Sequence, residues 1–140
     1  MTREDIAALL ARRDADWRRR DAAALAADHS ADGVVVSPTG GVLEGREQIE
    51  RIYRLWFTAF PDLGFETSEV IIDGHTAVLL ASITGTHTGD FFGLAATGRR
   101  VQFGSAFVYK LHECEIAHER RILDFTGVLV QVGVLKTKPA

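Results

Sequence analysis

The chain has a single cysteine, Cys114, so no internal disulfide can hold it together. No run of about eighteen apolar residues occurs, which argues against a membrane-spanning helix. The start, MTREDIAALLARR, lacks the apolar stretch of a secretory signal, so a cytoplasmic location is the expectation. Neither sign of charge dominates, and the formal net charge is −3. Arginines do gather, as Arg12–Arg13, Arg18–Arg19–Arg20, Arg99–Arg100 and Arg120–Arg121, but acidic residues are interspersed. These clusters read as solvated faces rather than a basic groove, which argues against nucleic acid as a partner.

The motifs of nucleotide and acyl chemistry are missing as well. Gly85, Gly89, Gly93 and Gly98 are not spaced as GxGxxG, there is no GK[ST], and Ser105 does not sit in a GxSxG. Cys114 lies in a turn with no base preset beside it and reads as a free thiol. The run HECEIAH brings His112, Cys114 and His118 close in sequence, yet no zinc spacing fits. His118–Glu119 starts an HExxH, but Ile122 stands where the second histidine belongs. Neither a metal nor a cofactor is expected.

What is present is a core. The 140 residues are 46% apolar and 25% charged, which suits one domain over residues 1–140. Thr2 and Asp5 make a capping-box pattern ahead of Ile6, Leu9, Leu10 and Trp17, so the chain opens with a helix. Asp21 caps a short second helix through AAALAADH, closed by SADG; VVVSP then reads as a strand and TGG as a turn. The strongest periodicity follows. Ile49, Ile52, Tyr53, Trp56, Phe57 and Phe60 form one wide apolar helix face, with Glu47, Glu50, Arg51 and Arg54 opposite, and Pro61 stops the helix.

Strands come next. FETSEVIID runs into the turn signal Asp73–Gly74, TAVLLASITGTHTG follows, and GDFFGLAATG reads as a loop. Val101, Phe103, Ser105, Phe107, Tyr109 and Leu111 then alternate as a half-buried strand. HECE makes a turn, and IAHERRILDFTGVLV is expected to be the last strand. The tail KTKPA is expected to fray. Helices first and strands after imply an α+β cone, with about three N-terminal helices on a strongly bent antiparallel sheet. Such a cone either fills with side chains or holds a ligand. Strands apolar on both parities, as at Phe107 with Val108 and Leu129 with Val128 and Val130, need cover on both faces. They predict a homodimer through the outer sheet face.

One carboxylate stands out. Asp124 lies among Ile122, Leu123 and Phe125 in the expected last strand. It either turns outward, for instance beside Arg120, or lies in the cone with a pKa raised by desolvation. The second is the expectation, and a bulge near RRILD would reconcile the alternation. His87 shares parity with Ala77, Leu79, Ala81 and Ile83, so it points from an apolar strand face, as a core histidine or as pocket lining. His29 ends the short second helix, where a helix terminus favours a charged imidazole; the alternative is a place at the pocket. Trp17 and Trp56 come from helix faces directed at the sheet. They are expected to share one cavity with His29, His87 and Asp124, and Tyr53, Phe60, Phe91 and Phe107 are expected to complete the substrate-binding wall.

The stretches GTHTGDFFGLAATGRRV and IAHERRILDFTGVLVQVG, with DWRRRD and FPDL before them, resemble the SnoaL-like polyketide cyclases, or ester cyclases. These belong to the ketosteroid-isomerase-like superfamily. The resemblance covers most of the chain, and GTHxG and D-x-x-G-x-L-x-Q-x-G are more specific to the family than to a reaction. It implies an α+β cone, no metal or cofactor, and ring closure by intramolecular aldol attack of an acidic methylene on a carbonyl. It makes Asp124 the acid/base. Two features depart from the family pattern: no histidine stands between residues 88 and 111, and Ala96–Thr97–Gly98 replaces a PTG. His87 or His29 then stands in, or the substrate differs. The expected activity is cofactor-independent acid/base chemistry on a small apolar, polyketide-like carbonyl compound, by aldol-type cyclisation or a related isomerisation. Hydration, epoxide opening, and plain small-molecule binding are the alternatives on the same cone.

Overall fold

The computed structural model describes residues 1–136. Helix α1 (Arg3–Arg18) begins at a reciprocal cap, in which Thr2 Oγ1 accepts from the Asp5 N–H and the Asp5 carboxylate accepts from the Thr2 N–H. Asp21 caps α2 (Ala22–Ala27) by accepting from the Ala24 N–H. His29 does not end that helix, as the sequence suggested. It opens strand β1 (His29–Ser37), in which His29 and Val34–Val36 pair with β6 and SADG forms the irregularity between those two pairings. Then come β2 (Gly41–Glu44), α3 (Gly45–Ala59), β3 (Gly64–Asp73), β4 (Thr76–Thr86), β5 (Arg100–His112), β6 (Glu115–Leu123) and α4 (Phe125–Gln131).

The strands form one curved, unclosed sheet in the order β2-β1-β6-β5-β4-β3. Every neighbouring pair is antiparallel except β1 with β6, which is parallel. The expected all-antiparallel sheet is therefore mixed at one seam. The helices cover the concave face. α3 buries Ile49, Ile52, Tyr53, Trp56 and Ala59, with Phe60 just beyond its end, as its periodicity predicts. Burying each large apolar side chain contributes about 1.5–3 kcal/mol, so this face alone is a large share of the core. Among the described residues no helix is long and apolar enough to cross a membrane.

Two expectations about the C-terminal third are corrected. The last strand stops at Leu123 rather than running to Val130, and residues Phe125–Gln131 are helical. Asp124 ends the strand by capping: its Oδ1 accepts from the Gly127 N–H at 2.9 Å. Val128 and Val132, one helical turn apart, are both buried. Val128, Leu129 and Val130 therefore show no two-faced strand, and that support for a dimer falls away. Nor is there a bulge near Arg120–Asp124. The β5–β6 register is unbroken from Ser105 opposite Leu123 to Lys110 opposite His118, and the slip lies at Lys110/Leu111. Alternation is therefore strict. Glu119, Arg121 and Leu123 face inward, while Arg120 and Ile122 face out. Of the tail expected to fray, residues 137–140 lie outside the described residues.

Candidate functional site

The cone is nearly full. Its remaining cavity is lined by Trp17 and Trp56 from the helices, Leu63, and Ile83, Phe107, Arg121 and Leu123 from the sheet. The space open to the centre of a water-sized sphere is about 10 Å³, enough for roughly one water. Aromatic rings account for the filling. Trp17 stacks on Phe65 at 4.4 Å between centroids, and Trp56 meets Phe91 edge-on at 5.1 Å and Phe60 at 5.8 Å. Of the aromatics expected on the substrate wall, Trp17, Trp56 and Phe107 line the cavity. Phe60 and Phe91 back Trp56, and Tyr53 turns toward a polar cluster. Leu63 also borders an open surface groove of about 520 Å³ with Arg20, Asp62 and Gln102, so it stands between solvent and the interior.

Behind the cavity lies a cluster of buried polar side chains: Arg13, His29, Tyr53, Tyr109, Glu119 and Arg121. Arg13 donates to Tyr53 Oη at 2.7 Å, to the Leu25 carbonyl at 2.9 Å and to Asp28 Oδ2 at 3.1 Å. Arg121 donates from Nε to Glu119 Oε2. Glu119 Oε1 lies 3.8 Å from His29 Nε2 and 4.0 Å from Arg13 Nη2. Burial disfavours the Glu119 carboxylate, but the charges of Arg121 and Arg13 outweigh it and hold its pKa below the ordinary range. Burial is also the main force on His29; with the nearby arginines it outweighs Glu119 and lowers the imidazole to about 3. The Tyr53 hydroxyl, already accepting from Arg13, can donate to His29 Nε2 at 3.2 Å. His29 is thus a neutral member of the cluster, not the charged helix cap, and it does not line the cavity.

His87 is fully buried, on the apolar face its parity predicted. Its position explains the GTHTG run. A Cβ on Gly85 would lie 2.9 Å from Phe60 Cβ, and one on Gly89 would lie 1.9 Å from the Thr58 carbonyl oxygen. Both glycines let the chain press against the end of α3, with His87 between them. The Thr97 N–H donates to His87 Nδ1 at 3.3 Å, and Thr97 Oγ1 sits 2.9 Å from the same atom. Thr97 Oγ1 accepts from the Arg99 N–H, so its own hydrogen is free for Nδ1. Nδ1 is an acceptor, the ring carries its hydrogen on Nε2, and that atom is buried without a partner among the described residues. The ring lies beside Phe60 at 5.7 Å and Phe91 at 6.1 Å.

Asp124 is not in the cone. It is exposed, outside the strict alternation of β6, with Oδ1 engaged as the α4 cap. The expected burial among apolar neighbours, and the desolvation it would bring, are absent because the strand ends one residue earlier. Asp124 nevertheless follows Leu123, which lines the cavity, and Phe125 lies 6.0 Å from Phe91, the ring that also touches His87. The five residues expected around one cavity thus divide. Trp17 and Trp56 line it, His87 packs against Phe60 and Phe91 off the cavity wall, Asp124 is exposed at the start of α4, and His29 belongs to the polar cluster.

Reading the sequence missed Arg13, Tyr109, Glu119 and Arg121 as site residues and assigned the two arginines to solvated faces. The structure corrects this, since Arg13 is 1% and Arg121 5% exposed. The signal was there: Arg13 is at helical spacing from Leu9, Leu10 and Trp17, and Glu119, Arg121 and Leu123 share a parity opposite Tyr109 and Phe107. Among the described residues, no three His, Cys, Asp or Glu side chains converge as a metal site needs.

A bent sheet closed by helices over a small apolar cavity is the ketosteroid-isomerase-like fold, and solved structures agree. AclR of Streptomyces galilaeus, a candidate hydroxylase, superposes with a TM-score of 0.87 at 23% identity, covering 99% of this chain and 91% of its own. A candidate SnoaL-like polyketide cyclase from Jannaschia sp. CCS1 gives 0.82 at 18% identity, with 95% and 94% covered. A protein of ketosteroid-isomerase-like fold from Catenulispora acidiphila, solved with trimethylamine, gives 0.76 at 21% identity, with 99% and 100% covered. The sequence model of the SnoaL-like polyketide cyclases matches residues 7–132, and the chain belongs to that family. No curated protein matches it.

Proposed function

We propose that this chain is an acid/base enzyme of the cyclase type, acting on a small apolar carbonyl compound through its own side chains. The observation that carries the reading is the junction at the end of β6. An aromatic cavity ends at Leu123, and the next residue is a carboxylate with Oδ2 unengaged among the described residues. In this reading the apolar end of the ligand lies in the cone and its carbonyl end passes Leu123 to Asp124, which stands outside, and Asp124 Oδ2 takes a proton from the methylene beside a carbonyl. The carbanion attacks a second carbonyl carbon of the same molecule and a C–C bond forms. The π pair moves to oxygen, and that oxygen recovers the proton from Asp124. His87, fully buried against Phe60 and Phe91 and off the cavity wall, becomes a donor from Nε2–H for the developing negative oxygen only when those rings part. A substrate larger than one water must displace Leu63 or Leu123, the aliphatic residues at the cavity's edge.

A second reading has its own observation. Among the described residues Arg121 is the only ionisable group on the cavity wall, and its raised pKa keeps it from exchanging protons near neutral pH. That favours a plain binding module. Deuterium exchange separates the two. Benzoylacetone in D₂O, followed by NMR, should exchange its methylene protons faster with the protein, and Asp124→Asn should slow this by about 100-fold or more. No acceleration by the wild type leaves the binding module.

A further inference from the structure

We infer that the cone selects apolar ligands that carry a carboxylate, and that Arg121 receives it. This rests on the cone being the ligand site proposed above and narrows the class of compound it takes. Arg121 carries a planar fork of N–H donors. Its Nε donates to Glu119, but its Nη2 is buried and has no partner among the described residues. The wall it shares with Trp17, Trp56, Phe107 and Leu123 offers no acceptor. An ionic donor left unmatched in a dry site is more costly than a neutral one. Nor is the group free to swing away, since its Cζ sits 4.5 Å from the Tyr53 ring centroid and 5.9 Å from that of Phe107.

The charge balance points the same way. Arg13 and Arg121 are both buried cations, and among the described residues Glu119 is the one fully buried carboxylate between them. Asp28, at the rim, serves Arg13 and is shared with the exposed Arg12. His29 is neutral. The cavity side of Arg121 therefore faces apolar rings without a second anion. A carbonyl oxygen on a ligand would satisfy Nη2 as an acceptor. A carboxylate would also answer the charge, in the planar geometry guanidinium matches best. The competing reading is a purely structural ion pair whose Nη2 holds the single water the cavity fits.

The test uses the chain's own reporters. Trp17 and Trp56 are its only two tryptophans, and both line the cavity. Their fluorescence is followed while the whole protein is titrated with hydrocinnamate or with hydrocinnamamide, which differ in charge and little in shape. The acid should bind about tenfold to a hundredfold more tightly, the range of a charge-assisted hydrogen bond. Arg121→Met should abolish that preference, while Arg51→Met, on the exposed face of α3, should keep it. Because Arg121→Met strands Glu119, the paired variant Glu119→Gln/Arg121→Met, checked for folding by circular dichroism, should lose the preference as well. Equal binding of acid and amide overturns the inference and leaves the cone as a ligand site. A preference that survives in the paired variant places the anion elsewhere and overturns it too. Quenching by neither compound overturns the inference together with the ligand-binding cone. Benzoylacetone is neutral, so its exchange reports the acid/base reading separately.

Discussion

His29 should make this protein unusually sensitive to mild acid. Its ring is fully buried against Tyr53, Glu119, Arg13 and Arg121, and burial first, then the arginines, lowers its pKa from 6.5 to about 3. The unfolded chain binds a proton below about 6.5 and the folded chain does not until about 3. The stabilisation is therefore present above pH 6.5 and is lost as pH falls through the window between the two values. Within that window the loss is about 1.4 kcal/mol per pH unit. Integrated from pH 7 to pH 5, it amounts to about 2 kcal/mol, or about 6–10 °C in Tm for a domain of this size. The assay is urea unfolding at a series of pH values, on the wild type and on His29→Gln. The amide keeps an acceptor for the Tyr53 hydroxyl but cannot titrate, so the variant should lose about 2 kcal/mol less over the same interval. Parallel pH profiles for the two proteins would refute the reasoning.

Glu119→Gln should cost about 3–5 kcal/mol in urea unfolding, because it leaves Arg121 and Arg13 buried without their shared carboxylate; a loss below about 1 kcal/mol would show that water reaches the cluster. The Glu119→Leu/Arg121→Met pair should recover most of that loss. Asp124→Ala should cost about 1 kcal/mol through the lost α4 cap, whereas Asp124→Asn, an equally good cap, should unfold at the same denaturant concentration as the wild type. A dimer through the outer sheet face is expected, since Ile71 and Ile122 are 50% and 55% exposed there, beside half-buried Val78 and Val108. Analytical ultracentrifugation at tens of micromolar checks it; a monomer, or a dimer that Ile122→Glu leaves intact, counts against that face.

The elements that were legible in the sequence are those whose pattern is long or chemically marked. Six apolar residues at helical spacing define α3, and Asp73–Gly74 fixes the β3–β4 turn, with Gly74 at φ +58°. The α4 helix was not legible as such, because Val128–Leu129–Val130 is too short to separate a period of two from one of 3.6. Its marker was Asp124 itself, three residues before a glycine, which reads equally as a cap or as a strand residue. That ambiguity also misplaced the carboxylate, since a strand through Val130 puts Asp124 inside the sheet. The polar cluster was hidden for another reason. Sequence shows the charges of Arg13, Glu119 and Arg121 but not that they meet across a helix, β6 and the aromatic rows of β5. Only the register, with Phe107 opposite Arg121 and Tyr109 opposite Glu119, turns an apparent surface run into an interior one.

The central claim is that the substrate enters the cone, between the tryptophans, and not one of the wider surface grooves. Isotope-filtered NOEs from benzoylacetone bound to labelled protein test it most directly. The account predicts contacts from the phenyl protons to the indole rings of Trp17 and Trp56 and to Phe107. Contacts confined to the open groove beside Arg19, Arg20 and Phe57, with none to either indole, would contradict it.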